Sequence, residues 1–439
     1  MNFRKSLLAL SLAASTAAVS HSAYASAFQI WEQSAGDMGN YHAGSESNAD
    51  SAATEFYNVA GMTNLKHPEL SIGVENIQPN FKFSGSTQLH VGPVNFPKLD
   101  GSGIQGGGPN IVPNIHYVQP LGDRWAFGFG ISVPFGLTTN YPGQSIVADA
   151  ATDTAIKTID FTPGIAFQVT KVFSIGAGMD LEYATGEFDQ YVLQDSITNS
   201  ISSFAVGYHL GALWRFDDNH TKVGISYHSR INQHADGTST AHQRSLSGVQ
   251  THSSTVSTYI PTPAYTALSV SQDLGSRWTV MGAVNYTQWN ALKNITLNNI
   301  SAYNMADPTI INPTFVPVNV DVTLPQNFKN TWNVALGANY KITKTWMLRM
   351  GMGFDESPVN NHDRNLQLPD NDHYVIAVGA QYTANKNFTF NVGYNHIFMP
   401  RSSINYDGQL GIPGDHVNVN GHVDGSANLF GAQVDWKFA

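Results

Sequence analysis

Arginine and histidine are the residues of this sequence whose side chains have the clearest capacity to bind a charged group. Arg215 and Arg349 lie on the non-apolar side of two alternating segments, where a guanidinium group could donate paired hydrogen bonds to a carboxylate. His220, His228 and His234 are predicted to share the inward face of one strand. At ~3.3 Å per residue the first two are ~26 Å apart, so they cannot share an ion. We therefore interpret the three histidines as inward polar residues and predict no metal site.

Sequence motifs for enzymatic chemistry are weak or absent. Residues 101–106 (GSGIQG) match the letters of a dinucleotide-binding fingerprint, but residues 107–109 (GGP) follow, where that fold requires the start of a helix. The sequence contains neither a His-Glu-x-x-His zinc motif nor a Gly-x-Ser-x-Gly nucleophile motif. We predict a protein that is not an enzyme and that uses no cofactor.

The elements that position these side chains are predicted to be strands, because bulky apolar residues recur at every second position. Residues two apart share one face of a strand, so one face is apolar and the other is small or polar. The first clear run contains Trp125, Phe127, Phe129, Ile131, Val133 and Phe135. Similar runs begin at Phe204, Trp332, Trp346, Tyr374 and Phe430. Aromatic residues often open or close the runs, as expected for girdles at two membrane interfaces.

The connections between the runs alternate between tight turns and long loops. Six are tight, near residues 122–123, 170–171, 217–219, 274–276, 343–344 and 385–386. Seven are long and rich in Gly, Ser, Asn or Pro, near residues 84–109, 140–155, 190–202, 235–262, 293–327, 357–371 and 401–424. This asymmetry is typical of outer-membrane barrels. We predict an all-β fold, a fourteen-stranded antiparallel transmembrane β-barrel. A soluble β-sandwich is the alternative, and it would need a charged outer face.

The composition also indicates an exported membrane protein. Residues 1–25 have a positive start at Arg4 and Lys5 and a short apolar core before Ala23-Tyr24-Ala25, the pattern of a signal peptide. Charged residues make up only 12% of the chain, about half the usual share of a soluble domain. The formal charge of −10 becomes −12 without Arg4 and Lys5, which argues against nucleic acid as a partner. No run of ~20 apolar residues predicts a transmembrane helix.

Residues 26–66 precede the first alternating strand and form a separate segment. They lack alternation but contain Phe28, Trp31 and Phe56, large apolar side chains that need burial. We predict that this segment is a plug inside a barrel formed by residues 67–439. A disordered tail is the alternative.

A proline interrupts the third predicted strand. Proline cannot donate a hydrogen bond to the ladder and is excluded from a regular mid-sheet position, and a closed barrel has no free edge. Pro134, Phe135, Gly136 and Leu137 are therefore predicted to form a local break in the wall. A proline above the membrane, where the strand is already free, is the alternative.

Five short motifs occur in one order along almost the whole mature chain: residues 26–30 (SAFQI), 56–62 (FYNVAGM), 110–114 (NIVPN), 354–359 (FDESPV) and 368–370 (LPD). Together they resemble the FadL-type (OmpP1/FadL/TodX) outer-membrane transporters of long-chain fatty acids. The resemblance implies a monomeric fourteen-stranded barrel in the outer membrane of a Gram-negative bacterium, plugged by an N-terminal hatch. It also implies capture of the lipid at outer loops and its release sideways through the wall.

The resemblance assigns roles to two groups of residues. The family's Asn-Pro-Ala hatch motif corresponds to Asn58, Val59 and Ala60, the expected hatch gate, in which valine adds a backbone donor that proline lacks. The segment Pro134, Phe135, Gly136 and Leu137 is similar in position to the family's inward kink, the expected lateral opening.

An apolar ligand needs a relay of apolar sites, because returning it to water costs ~0.8 kcal/mol per CH₂. The candidates for capture in the outer loops are Val192, Leu193, Ile197, Tyr259 and Ile260; packing of the loops on one another is the alternative. Arg215 and Arg349 are the candidates for binding a carboxylate head group, although charge inside the lumen is normal in any barrel.

The predicted function is passive, hatch-gated uptake of long-chain fatty acids, with the ligand and outer-membrane lipid as partners. Uptake of other hydrophobic compounds, such as aromatic hydrocarbons, is an alternative, because no head-group cation clearly matches the family. A general diffusion porin would instead have a charged constriction and no hatch. A lipid-hydrolysing enzyme would need a Ser or His pair on the lipid side, and none is visible in the pattern. A role as adhesin or phage receptor remains open for the loops.

Overall fold

The structure is a computed structural model that describes residues 27–192, 195–216, 220–245, 248–305 and 315–438. The predicted signal peptide, residues 1–25, and the predicted mature start at Ser26 lie outside the described residues. Leu193 and the predicted turn at 217–219 also lie outside them.

Almost all of the described chain is β-structure. The described strands are β1 (Glu69–Val91), β2 (Val94–Asn95), β3 (Leu99–Gln105), β4 (Asn110–Leu121), β5 (Trp125–Ser132), β6 (Gly136–Asn140), β7 (Asp153–Phe161), β8 (Gly164–Gln168), β9 (Phe173–Phe188), β10 (Gln190–Val192), β11 (Asp195–Phe216), β12 (Thr221–His228), β13 (Ile231–Ser245), β14 (Gly248–Thr262), β15 (Tyr265–Leu274), β16 (Trp278–Thr287), β17 (Asn294–Met305), β18 (Phe315–Pro325), β19 (Thr331–Lys341), β20 (Trp346–Asp355), β21 (His373–Thr383), β22 (Phe388–Gln409) and β23 (His416–Lys437).

These strands close into one antiparallel ring of fourteen wall strands. Seven wall strands consist of two segments that follow each other along the wall: β3 with β4, β5 with β6, β7 with β8, β12 with β13, β14 with β15, β16 with β17, and β18 with β19. The ring closes where β1 pairs with β23, from Glu69 opposite Lys437 to His90 opposite His416. The predicted fold class and strand number are confirmed. Closure leaves no free strand edge, and a lipid environment requires this because it offers no hydrogen-bond partner to an open edge.

The outer face of the wall is apolar, as the alternation predicts. Phe204 and Val206 are 61% and 52% exposed, and Phe129 on another wall strand is 37% exposed. Their neighbours in sequence point inward; for example, Ser203 is buried. A band of exposed aromatic and aliphatic side chains is stable only in contact with lipid. In the described residues, no helix is long and apolar enough to cross a membrane.

Five of the predicted long loops are shorter than expected. Strands occupy most of residues 84–109, 190–202, 235–262, 293–327 and 401–424, since, for example, β13 continues to Ser245 and β22 continues to Gln409. Ser, Thr, Asn and Gly dominate these extensions, so they lack the bulky outer residues by which a membrane strand is recognised. Their backbones still pair, and their inner faces still carry buried apolar residues such as Ala235 and Ala241.

The N-terminal segment, residues 27–66 in the structure, lies inside the ring. It contains three short helices, α1 (Ala35–Met38), α2 (Ser45–Asn48) and α3 (Thr54–Tyr57), and a 3₁₀ helix, η1 (Val59–Asn64). Helix α1 packs on β21, β22 and β23, whereas α2 packs on β12 and β15 and η1 packs on β8, β9 and β11. The segment is buried along nearly its whole length, which requires contact with several sides of the lumen. A second 3₁₀ helix, η2 (Trp289–Ala291), links β16 to β17.

Candidate functional site

A cluster of buried apolar side chains fills the lumen in the half of the barrel away from the tight turns. We call it the apolar chamber, and its central members are Phe28, Ile156, Phe188, Leu324 and Phe328. Phe28 comes from the start of the N-terminal segment, Ile156, Phe188 and Leu324 come from inward positions of β7, β9 and β18, and Phe328 comes from the link between β18 and β19. A lumen lined in this way excludes water and favours an apolar occupant.

Phe28 occupies the middle of the apolar chamber. Its ring makes edge-to-face contacts with Phe135 at 6.0 Å and with Trp289 at 4.7 Å between centroids. The cavity that remains beside Phe28, Ile156 and Leu324 offers only about 10 Å³ to the centre of a water molecule, space for about one water. A ligand of more than a few atoms therefore requires Phe28 or its neighbours to move.

The third wall strand bends into the lumen at the predicted break. Strand β5 ends at Ser132 and β6 begins at Gly136. Residues 133–135 stand opposite only two residues of β7, since Ser132 faces Asp160 and Gly136 faces Lys157. The alternation predicted Val133 and Phe135 on the lipid side, and that prediction is wrong: both are at most 4% exposed. The extra residue reverses the phase of the strand, as a bulge does.

The inward bend is held by the N-terminal segment. The backbone N–H of Ile30 donates to the carbonyl of Pro134 at 2.8 Å, and the N–H of Gly136 donates to the carbonyl of Phe28 at 2.7 Å. The side chain of Gln33 completes the contact with Val133, donating to its carbonyl at 2.8 Å and accepting from its N–H at 3.0 Å. The start of the N-terminal segment thus forms a short strand-like contact with the break, satisfying backbone groups that would otherwise lack partners.

A gap in the wall ladder accompanies the bend. Strand β4 pairs with β5 from Leu121 opposite Trp125 up to Ile115 opposite Ile131. Beyond that point, the described pairing assigns residues 110–114 a partner only on β1, and contact with the third wall strand resumes where the N–H of Asn140 donates to the carbonyl of Gly106. We call the unpaired stretch between residues 107–114 and 132–139 the wall gap. It opens beside Phe135 and Leu137, two members of the apolar chamber.

The predicted hatch gate is buried against three wall strands. The Asn58 side chain donates to the carbonyls of Glu46 at 2.7 Å and Ala212 at 3.0 Å, and it accepts from the N–H of Ala60 at 3.1 Å. Asn58 thereby caps η1 and ties it to β11. A Cβ atom built at Gly211 would lie only 2.1 Å from the Asn58 Oδ1. The absence of a side chain at Gly211 therefore gives Asn58 the space to pack against β11.

The two predicted head-group arginines lie near the tight-turn end of the barrel and contact the N-terminal segment. Arg215 donates to Ser174 at 2.8 Å and to Asn64. Arg349 donates to Gln381 at 2.8 Å and lies 3.8 Å from Asp37. Both guanidinium groups are buried, far along their strands from the apolar chamber. Their role in binding a head group remains a prediction.

Arg349 faces a polar cavity of about 320 Å³ together with Asp37 and Asp50. Burial raises the pKa of Asp37 to about 7, Asp50 adds to the increase, and Arg349 opposes it. Arg349→Met should therefore destabilise the folded barrel by roughly 1–3 kcal/mol, since it leaves the Asp37 carboxyl group without its cation. Thermal unfolding of the purified protein measures this. Arg349→Met combined with Asp37→Asn should recover most of the loss, and a combined loss as large as the sum of the two single losses would contradict the pairing.

The structure does not bring the predicted capture residues together in outer loops. Ile197 and Ile260 are buried members of the apolar chamber on β11 and β14, and Val192 packs against it. Tyr259 is 43% exposed on the outer face, because it precedes Ile260 on the same strand and successive residues face opposite sides. Leu193 lies outside the described residues. Whether any of them captures ligand stays a prediction.

The prediction that three histidines share one inward face is wrong. His228 is buried, whereas the His220 side chain is 57% exposed and His234 faces outward. Strand β12 ends at His228 and β13 begins at Ile231, so the alternation changes phase between them. The neighbours of His228 are instead His209 and Asp180, on adjacent wall strands.

Sequence reasoning also missed the residues that build the apolar chamber. Phe28 was recognised as a side chain that needs burial and, like Leu368, as part of a family motif, whereas Trp289 and Phe328 were not singled out. Trp289 interrupts a polar stretch between two strands and is completely buried; that isolated tryptophan is the signal that could have identified it. Leu368 reaches the chamber from the loop between β20 and β21.

A closed antiparallel ring with a lipid-facing skin and an occupied lumen defines an outer-membrane β-barrel. Residues 16–438 match the family model described as outer membrane protein transport protein (OMPP1/FadL/TodX). The chain belongs to this family, which consists of outer-membrane transport proteins and not of enzymes.

Similar proteins span nearly the full chain. The long-chain fatty acid transport protein of Salmonella typhi is 24% identical, with 99% of each chain covered. The crystal structure of a Pseudomonas aeruginosa FadL homologue has a TM-score of 0.80 at 21% identity, covering 94% of this chain and 100% of that chain. The Ralstonia pickettii toluene transporter TbuX has a TM-score of 0.65 at 15% identity, covering 93% and 100%.

Proposed function

We propose that this protein takes up long-chain fatty acids or similar hydrophobic molecules passively across the outer membrane. The observation that carries the proposal is the apolar chamber lying directly beside the wall gap, around Phe28, Phe135 and Leu137. A general diffusion porin has no use for such a chamber, because water-soluble solutes gain nothing from contact with it.

The path that we propose begins among the outer strand extensions and ends in the membrane. A ligand enters the apolar chamber by displacing the ring of Phe28. Because the Phe28 carbonyl accepts from the N–H of Gly136, this movement also loosens the contact that holds the inward bend. The ligand then leaves sideways through the wall gap into the lipid, which spares it an aqueous lumen.

The energetics favour such a relay over a single tight site. Each CH₂ group transferred from water to the chamber gains ~0.8 kcal/mol, so a long acyl chain buried completely would leave very slowly. Displacement of Phe28 offsets part of that gain, since its aromatic contacts with Phe135 and Trp289 contribute about 0.5–1.5 kcal/mol each. The chamber thus binds the chain without holding it permanently.

Uptake of a neutral hydrophobic compound, such as an aromatic hydrocarbon, is the second candidate. Arg364 is a buried arginine of the loop that borders the chamber, and its Nε donates to the carbonyl of Asp370 while its Nη1 donates to the carbonyl of Ser403 and to Asn361. A carboxylate head group would therefore have to compete for these two nitrogens. The relatives support both candidates, since one is named a fatty acid transporter and another a toluene transporter.

Substitution of Ile156 tests the chamber as the binding site. Ile156 is 4% exposed and borders the small cavity beside Phe28 as well as a second small apolar cavity lined by Ile201, Ala235 and Ile260. Ile156→Asn should weaken binding of a fluorescent fatty acid roughly tenfold, because an unpaired amide in an apolar site costs about 1–3 kcal/mol. Fluorescence titration of the purified barrel measures the affinity.

Ile156→Val is the matched control, since it keeps the site apolar and should bind almost as the parent chain does. Competition by oleate and by toluene in the same titration distinguishes the two candidate ligands. Unchanged affinity in Ile156→Asn would contradict the assignment of the chamber.

A further inference from the structure

We propose that Asp180, His209 and His228 bind a divalent transition-metal ion of the Zn²⁺ type inside the barrel. The three residues lie on the adjacent wall strands β9, β11 and β12, and all three face the lumen and are buried. One ligand atom from each lies within 4.8 Å of the other two. Two imidazoles and a carboxylate are a common ligand set for catalytic and other open zinc sites.

The hydrogen bonds of His228 direct one of its ring nitrogens at the Asp180 carboxylate as an acceptor. Its Nε2 lies 3.2 Å from the carbonyl of Phe56, an acceptor, so this nitrogen carries the proton in the neutral ring. The Nδ1 atom is then a lone-pair acceptor, and it faces Asp180 Oδ2 at 3.7 Å. That carboxylate oxygen has no hydrogen-bond partner. Two acceptors directed at each other across this distance are satisfied by a proton or by a metal ion.

The contact between His228 and Phe56 matches the usual support of a metal ligand. A ligating histidine normally donates its second N–H to a carbonyl or carboxylate, which fixes the ring and increases its basicity. His209 is positioned in a different way. A Cβ atom built at Gly178 would lie 2.1 Å from His209 Nε2, so the absent side chain makes the space that this imidazole occupies.

The surroundings carry an excess of acidic groups. Asp160 and Glu182 are also buried on the neighbouring strands β7 and β9, and each has a carboxylate oxygen without a hydrogen-bond partner. Among the described residues, the ion pairs of Asp180 are made with the two histidines and not with lysine or arginine. Bringing carboxylates together in a dry interior is unfavourable unless protons or a cation neutralise them, so a dication suits this position.

Binding requires a small rearrangement. Asp180 Oδ1 and His209 Nδ1 are 2.6 Å apart, a hydrogen bond, whereas two ligands of a tetrahedral zinc ion are ~3.3 Å apart at bond lengths of ~2.0–2.1 Å. The two imidazoles also stack, with planes 25° apart. One imidazole must therefore rotate, and the proton shared by His209 and Asp180 must leave, before a nitrogen of each histidine can face the same ion.

Equilibrium dialysis of the untagged, full-length barrel against ZnCl₂ after removal of metal by a chelator tests the proposal. We expect one Zn²⁺ per chain, measured by inductively coupled plasma mass spectrometry, and an increase in melting temperature when Zn²⁺ is present. His209→Gln and Asp180→Asn should each lower the Zn²⁺ affinity at least roughly tenfold. Heat-dependent migration on gel electrophoresis verifies that each variant is folded.

His220→Gln is the matched control, because this exposed histidine lies beside β12 but outside the trio. It should bind Zn²⁺ as the parent chain does. If a variant fails to fold, the number of Zn²⁺ ions bound per parent chain and the change in its melting temperature still test the proposal. Absence of bound Zn²⁺ in the parent, or equal binding by the folded His209→Gln protein, would overturn the proposal and leave the trio as a hydrogen-bonded network.

Discussion

We expect that straightening the third wall strand will abolish uptake of the hydrophobic ligand while the barrel still folds. The change is Pro134→Val together with Gly136→Val, which restores a ladder donor and two strong strand formers. The third strand could then pair with β4 along residues 110–114, which at present have a partner only on β1. Uptake of a labelled fatty acid by cells that carry the variant should fall to the level of cells without the protein.

Uptake should stop because the straightened strand completes the hydrogen-bond ladder between β4 and the third wall strand. With the wall gap closed, a ligand in the apolar chamber is separated from the lipid by a continuous sheet, and the remaining exit runs through the polar side of the lumen. Pro120→Val is the control, because Pro120 sits opposite Ala126 in a part of β4 that is already paired with the third wall strand. It should leave uptake unchanged. Normal uptake by the straightened variant would exclude lateral release.

We expect that displacing the hatch gate will convert the protein into an open ion channel. Deletion of residues 58–60 removes the cap of η1 and the hydrogen bond from Asn58 to Ala212. The N-terminal segment would then lose its contact with β8, β9 and β11 on one side of the lumen. In planar bilayers the parent chain should conduct almost no current, and the variant should show steady open-channel conductance.

Gly211→Val reaches the same result without a deletion. Its new side chain would collide with the Asn58 Oδ1, which lies 2.1 Å from the position of a Cβ atom. Gly282→Ala is the matched control, because the nearest atom to its Cβ position is 3.5 Å away, an ordinary contact. Bilayer recordings in which both the deletion and Gly211→Val remain closed would remove the gating role from this segment.

The barrel itself could be predicted because it follows from local chemistry. A lipid-facing wall demands an apolar residue at every second position, and runs such as the one from Phe204 to Leu210 satisfy this demand without reference to the rest of the chain. The tight turns are equally local. Counting the turns and loops was therefore sufficient for the strand number, whereas the strand extensions above the membrane lacked the apolar outer residues that make a strand visible.

The site could be predicted only where a residue breaks a local rule. Pro134 violates the requirement for a ladder donor, so the break was found from sequence, but its partners were not. Phe28 and Gly136 are more than a hundred positions apart, and no pattern within either segment predicts their hydrogen bond. The trio of Asp180, His209 and His228 could not be predicted for the same reason, since these residues are brought together only by the register between neighbouring wall strands.

Density for a co-purified ligand, supported by native mass spectrometry of the same preparation, tests the central claim most directly. The account predicts one hydrophobic molecule in the apolar chamber beside Ile156 and Leu324, with Phe28 displaced, and its loss in Ile156→Asn. A ligand found only in the polar cavity beside Arg349, or equal occupancy in the Ile156→Asn protein, would contradict it.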